Sequence, residues 1–338
     1  MSGWELADDD RDEILRRDIL PSYFPAFTQS ETSPRLMLLA GQPGAGRSRA
    51  TSTLIAGHGA DLAVVSNDDL RAFHPRFAEV SATSAPEARE GLARTTAGWV
   101  RDCIRYARGN KRSLLLEGAS LDPKVAIGTA ARFADEGFQT RVVVVASRRA
   151  ESLLSVTSLF LRDVHASAPA RFVSCDAHDR AFEASRVLVA AVEDAAAVHR
   201  LTILKRNGET TFDAQRIEGD YAFRGASEAL EAAQSARLSR FDATQWLSEL
   251  HHVTEFAASR RDLPSGVTDL LVDLHEVALR EVIPELHVPS DGKFTIAIEQ
   301  KTVASLVALR RSLLREQPVD VAAPVVAPAG PERKGISR

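Results

Sequence analysis

The sequence predicts an α/β fold: a doubly wound, mainly parallel sheet followed by a C-terminal helical region. Three observations predict it. Short apolar runs alternate with helical patterns over about residues 1–215. A glycine-rich octapeptide, GQPGAGRS at 41–48, joins one of those runs to a helix. Beyond about residue 220 only amphipathic helical patterns follow. Apolar strands separated by helices give a parallel sheet covered on both faces.

The elements follow in order. Residues 10–27 read as a helix, with Ile14, Leu15 and Ile19 at helical spacing and an end near Pro21. RLMLLA at 35–40 is a strand that feeds the glycine loop, and a helix starts near Ser48. Further strands are predicted at 62–66, 113–117, 141–146 and 201–205, with helices at 87–108, 123–136 and 176–198 between them. The helical region spans 216–316 and ends with a helix at about 294–316. The tail, 317–338, is rich in Pro, Ala and Val and is expected to be disordered.

Bulk properties exclude several classes. A net charge of -4 over 338 residues, without a long basic run, argues against a nucleic-acid partner. Two isolated cysteines, Cys103 and Cys175, form neither a disulfide framework nor a metal site, so a reducing cytoplasm is expected. The acidic N-terminus lacks the apolar stretch of a signal peptide. The longest apolar runs, such as RVVVVA at 141–146, fall far short of the roughly 20 residues a membrane helix needs.

The octapeptide carries the chemistry. It fits the phosphate-binding pattern G-x-x-x-x-G-K-[ST] at every fixed position except Lys, where Arg47 stands. A glycine-rich turn between strand and helix presents backbone N–H groups to a phosphate, and the helix N-terminus adds its positive end. Gly41, Gln42, Pro43, Gly44, Ala45, Gly46, Arg47 and Ser48 are therefore the expected ATP-binding residues, and Ser48 is placed to ligate Mg²⁺. Arg47 keeps the charge of Lys but spreads it over a planar fork.

Other candidates sit where strands end. VVSNDDLRAFHP at 64–75 puts Asp68 at a strand's carboxyl edge, where it suits a base for a substrate hydroxyl; a helix cap by Asn67 or Asp68 is the equal alternative. Glu117 ends the run LLLE and is either a substrate or Mg²⁺ carboxylate or a solvated charge. Arg162 and Arg171 flank a Ser/Ala/Pro linker; they are surface charges or a flap that closes over a γ-phosphate. His251, His252 and His275 are expected on helix surfaces, since no carboxylate or Cys pattern at metal spacing accompanies them.

Taken together, these segments resemble the zeta toxins, P-loop kinases of bacterial toxin–antitoxin systems. The resemblance runs over about residues 10–210. It rests on the loop Gly41–Ser48, on Asp68, Leu70, Arg71, His74 and Pro75, on Glu117–Gly118, and on Arg162, Arg171 and Ala177–His178–Asp179. It implies ATP-dependent phosphorylation of the 3′-hydroxyl of UDP-N-acetylglucosamine or a related UDP-sugar. Asp68 would be the general base, Arg162 and Arg171 would bind the γ-phosphate, and Arg47 would stand where the family has Lys. Glu117 would contact the sugar, with Ser120 and Asp102 as further substrate positions. Ala119 stands where the family often has Thr, and matching Asp102 to the family's upstream Glu needs a one-residue gap. A small helical antitoxin would restrain the enzyme. Two other readings stay open: a different small-molecule P-loop kinase, and a nucleotide-binding protein weak in catalysis because of Arg47.

Overall fold

The structure is a computed structural model that describes residues 4–25, 33–58, 61–82, 85–118, 120–217, 221–260, 262–264, 266–289 and 292–316. The tail after 316 and Ala119 lie outside the described residues. Six strands form one sheet in the order β2-β3-β1-β4-β5-β6. They are β1 (Arg35–Ala40), β2 (Ala63–Ser66), β3 (Leu114–Glu117), β4 (Gln139–Ala146), β5 (Arg200–Lys205) and β6 (Thr210–Gln215). The first five run parallel, and β6 returns antiparallel to β5.

The central strands show why their sequence is a continuous apolar run. In β1, Leu36, Leu38 and Ala40 face one core while Met37 and Leu39 face another. In β4, Val142, Val144 and Ala146 join the first core and Val143 and Val145 the second. Side chains alternate across a strand, so a strand covered on both faces is apolar at every position. β6 escapes the sequence reading because TTFDAQ has no such run. Its exposure alternates between intermediate and exposed, and it is held as a strand by pairing with β5.

Helices close both faces. α1 (Asp8–Ile14) passes through a π-turn, Leu15–Ile19, into α2 (Leu20–Tyr23). The expected end near Pro21 moves on to Tyr23, because Pro21 falls in the first turn after the π-turn. α3 (Arg47–His58) follows the glycine loop. Then come α4 (Asn67–Leu70), α5 (Phe77–Ala82), α6 (Pro86–Gly109), α7 (Pro123–Ala134), α8 (Arg149–His165) and α9 (Cys175–Glu193). Trp99 of α6 is fully buried and donates its Nε1–H to Arg11 O at 3.0 Å, which ties the N-terminal helix to α6.

Beyond β6 lie α10 (Ala226–Ser235), α11 (Arg240–Ala258), α12 (Gly266–Val277) and α13 (Lys293–Glu316). Between α12 and α13 are a π-turn, Ala278–Val282, and a 3₁₀ turn, Ile283–Leu286. Phe223, Ala226 and Leu230 belong to the sheet core, so α10 packs as part of the α/β layer. A separate core begins at Leu238, where Trp246, Leu250, Leu270 and Leu274 pack on Leu153, Leu154 and Leu161 of α8. His275, expected on a surface, is buried there, and its Nδ1–H meets Leu271 O at 2.7 Å. Among the described residues no cluster of His, Cys, Asp or Glu fits a metal ion, and no helix is long and apolar enough to cross a membrane. Both cysteines are free; burial pushes the Cys103 and Cys175 thiols up to about 12.

Candidate active site

The glycine loop leaves the carboxyl end of β1, between β3 and β4, in the crevice where doubly wound folds place their ligands. Its shape is fixed by contact with α8. Gly44 has φ +76°, and a methyl group there would lie 2.1 Å from the Ser152 carbonyl oxygen. Gln42 is fully buried and donates its Nε2–H to Ser147 O at 3.0 Å and to Ser152 Oγ at 3.3 Å. The side chain of Gln42 is therefore a strut of the loop.

Ala177–His178–Asp179, read from the sequence as a motif, turns out to brace this strut. His178 Nε2 lies 2.9 Å from Ser152 Oγ, and its Nδ1 lies 3.0 Å from Asp179 Oδ1. Arg149 grips both Asp179 oxygens at 2.8 Å. The chain Gln42–Ser152–His178–Asp179–Arg149 is a polar network, buried from Gln42 to His178 and part-buried at Asp179 and Arg149, in which Gln42 Oε1 alone is buried without a partner among the described residues. Burial pulls the His178 imidazole below its ordinary value, with Asp179 opposing and Arg149 reinforcing that fall.

Three more imidazoles, His74, His199 and His275, are lowered by burial as well. For a lowered His, the unfolded chain binds the proton more readily than the folded one. The stability is then fully present above about pH 6.5 and is lost as pH falls below it, by at most ~1.4 kcal/mol per unit per group. The melting temperature is expected to fall between pH 7 and pH 5, above the carboxylate range; a flat profile by scanning calorimetry contradicts this.

The other side of the loop is clasped by Arg206, just after β5. Its guanidinium donates to Gly44 O and, at 2.8 Å, to Ser155 Oγ of α8. Burial lowers its pKa, Glu151 raises it, and Arg49 lowers it further. Nothing in the sequence separates Arg206 from any basic residue after a strand; the preceding β5 and the following Asn207-Gly208 turn place it.

Arg47, the first residue of α3, makes no hydrogen bond or ion pair among the described residues. Its Nη1 lies 3.3 Å from where a Gly118 side chain would begin. The guanidinium thus stands at the end of β3, beside Glu117. Glu117 Oε2 accepts the Thr51 Oγ–H at 2.7 Å, a bond from α3 that holds the carboxylate over the loop helix. Ser48, one residue into α3, is exposed, and its hydroxyl makes no hydrogen bond among the described residues.

Asp68 lies in the first turn of α4. The cap there is Ser66, whose Oγ accepts the Asp69 N–H at 3.0 Å, so neither Asn67 nor Asp68 caps the helix. The Asp68 carboxylate is exposed and sits between Arg71 Nη1, at 3.2 Å, and Arg171 Nη1, at 3.5 Å. Arg171 comes from the segment between α8 and α9, so the structure joins the candidate base to the candidate flap arginine across 103 residues. Burial lowers the Arg71 guanidinium; Asp68 opposes that and Arg171 adds to it. Arg162 does not join them: it is exposed in the last turn of α8, without an ion pair among the described residues.

A cleft of about 610 Å³ opens beside the loop, between α6 and α7. Asn67, Glu117, Gly118 and Ser120 are among its lining residues, as are Arg101, Arg105, Arg108 and Arg132, and apolar side chains such as Val100, Ile104 and Val125 complete the wall. Arg101, Arg105 and Arg108 recur at i, i+4 and i+7 of α6, a spacing that puts them on one face of the helix. Arg108 is paired with Glu136 and Arg105 with Asp102, at 3.0 Å each. Arg101 and Arg132 have no ion pair among the described residues. Asp102 turns its carboxylate to Arg105 and towards Arg11, at 4.0 Å, and is not one of the residues that line the cleft.

A six-stranded, mostly parallel sheet with a phosphate-type loop after its central strand is a P-loop kinase-like fold. The Zeta toxin family model matches residues 23–218, more than half of the chain, and the chain belongs to that family. It is 26% identical over 149 residues to the zeta toxins of Enterococcus hirae and of Streptococcus pyogenes. Those matches take in 44% of this chain and 52% of each relative, so the chain spans about half the length of the curated relatives it matches. In structure it is similar to a protein from the PezAT chromosomal toxin–antitoxin system of Streptococcus pneumoniae. The TM-score is 0.64 at 18% identity, covering 75% of this chain and 99% of that one. This likeness is one of fold.

Proposed function

We propose that the protein is an ATP-dependent kinase that phosphorylates the 3′-hydroxyl of the sugar of UDP-N-acetylglucosamine or a related UDP-sugar. The observation that carries the reading is the cleft. Four arginines, a carboxylate and two polar side chains line it with an apolar wall, and Gly118 of its lining adjoins Arg47. Guanidinium groups suit a diphosphate, and Glu117 suits sugar hydroxyls. Asp68, next to cleft-lining Asn67, would take the proton of the attacking hydroxyl. Arg171 would steady Asp68 and meet the γ-phosphate; Arg162 would join it only if the flap moves.

The loop's backbone N–H groups would cradle the ATP phosphates. The exposed, unengaged hydroxyl of Ser48 fits Mg²⁺, an ion that takes few protein ligands and keeps its place through phosphates and water. Its charge would offset that of the β- and γ-phosphates. Blocked use of a cell-wall precursor would make the protein toxic in the cytoplasm, and a small helical antitoxin would restrain it.

The test is incubation with Mg·ATP and a panel of UDP-sugars, followed by mass spectrometry. One added phosphate on a UDP-amino sugar is the expected result; no gain with any sugar overturns it. Arg47 favours a second reading, weak catalysis, because its head stands at the β3 end rather than over the loop. We expect Arg47→Lys to raise transfer by about tenfold, the size of one charged hydrogen bond of ~1.4 kcal/mol. An unchanged or lower rate would show that the guanidinium already serves as the clamp.

A further inference from the structure

We propose that Glu285, in the C-terminal helical region, is a positioning residue for the phosphate loop. It acts through Arg148 and the first turn of α8. The functional part of this proposal rests on the reading that the loop binds ATP.

Helix α8 is shared by two structures. One side carries the loop: Ser147 O and Ser152 hold Gln42, and Gly44 presses on the Ser152 carbonyl. The opposite side carries the C-terminal core. Arg148 lies between Ser147 and the helix proper and is the N-terminal flanking residue of α8. Its guanidinium is buried and meets Glu285 Oε2 at 2.5 Å. The same oxygen accepts Leu238 N–H at 2.9 Å, and Arg237 approaches Oε1 at 3.7 Å. Two residues on, Ala150 O accepts Trp246 Nε1–H at 2.9 Å. The C-terminal helices therefore hold the backbone of the turn that holds the loop.

Packing alone does not call for this arrangement. The core around Trp246, Leu250 and Leu274 is already apolar and buried. A buried ion pair carries a desolvation cost that a hydrophobic pair of like size avoids, so net stability does not account for this one, and a role in geometry does. The pair sits at the one residue between the carbonyl that holds Gln42 and the helix that seats Gly44. Loss of it leaves Arg148 only the longer approach to Glu281 Oε2, at 3.7 Å, and lets the first turn of α8 shift, and a shift there moves the loop's N–H groups off the phosphate positions. A small displacement of this kind weakens binding at the loop and leaves the sugar cleft between α6 and α7 untouched.

The experiment has two readouts on the full chain: hydrogen exchange at residues 41–48 without ligand, and the dissociation constant for Mg·ATP. Glu285→Ala is expected to speed exchange in the loop and to raise the ATP dissociation constant about tenfold. The KM for the acceptor should stay unchanged. Glu285→Gln keeps an acceptor oxygen for Leu238 N–H and Arg148 and should restore both readouts. Leu274→Ala, a cavity in the same core, should lower the melting temperature without changing loop exchange or ATP affinity at 25 °C. Unchanged loop exchange in Glu285→Ala overturns the proposal, as does an equal effect of Leu274→Ala. Should Glu285→Ala not fold, Trp246→Phe removes the bond to Ala150 O along with part of the buried indole, and it is held to the same two outcomes with Leu274→Ala as the control for the cavity. If the unmodified protein binds no Mg·ATP, the nucleotide reading fails, and the exchange result still decides the latch.

Discussion

Asp68→Asn is expected to lower phosphoryl transfer by about 10²–10⁴-fold while leaving ATP affinity unchanged. The amide matches the carboxylate in size and can still accept from Arg71 and Arg171, which lie 3.2 and 3.5 Å from Oδ1. It cannot take a proton from a hydroxyl at neutral pH. The change therefore isolates proton acceptance from positioning. Two numbers measured side by side decide it: the rate of transfer to the sugar, and the ATP dissociation constant by calorimetry. A transfer rate near that of the unmodified protein would remove Asp68 from the base role and leave it a holder of the flap. A fall in ATP affinity would place it on the nucleotide side instead.

Gly44→Ala is expected to abolish nucleotide binding at ordinary ATP concentrations. A Cβ at this position would lie 2.1 Å from Ser152 O and 3.0 Å from Ser152 C, both backbone atoms that cannot turn aside. The φ of +76° adds strain for any L side chain. Left-handed strain of about 1–3 kcal/mol and overpacking of similar size sum to several kcal/mol. At ~1.4 kcal/mol per tenfold, the loss is on the order of a hundredfold or more. Gly57→Ala is the control, since a methyl group there meets nothing within 4 Å. It lies in helix α3 and should stabilise the protein by about 0.5–1 kcal/mol. Equal ATP affinity for Gly44→Ala and Gly57→Ala would show that the loop does not need its seat on α8.

The elements legible in the sequence were those whose burial is complete. β1, β4 and β5 are covered on both faces and read as unbroken apolar runs. The glycines of the loop were legible because left-handed backbone at 44 and 46 selects them. β6 was not legible, because its partner strand and not its own pattern makes it a strand. The helix cap was not legible: Asn67 and Asp68 were the candidates, and the cap is Ser66, the last residue of β2. Thr51 and Glu117 meet across 66 residues, and no local signal announces such a bond. Arg206 and the Arg148–Glu285 pair belong to the same class. Asp102 shows the converse: only the family resemblance, with a one-residue gap, suggested a substrate contact, and the neighbouring Arg105 and the N-terminal helix take its charge.

The strut beneath the glycine loop has a consequence in time. Gln42 bonds to Ser147 and Ser152, partners 105 and 110 residues further along the chain. Chains are synthesised at about 5–20 residues per second, so the loop leaves the ribosome roughly 5–20 seconds before its seat exists. During that interval its glycines have nothing to shape them. Nascent chains stalled before α8 should retain no ATP on a nucleotide resin, and full-length chains should. The seat of the loop is thus completed only once α8, about midway along the chain, has been made.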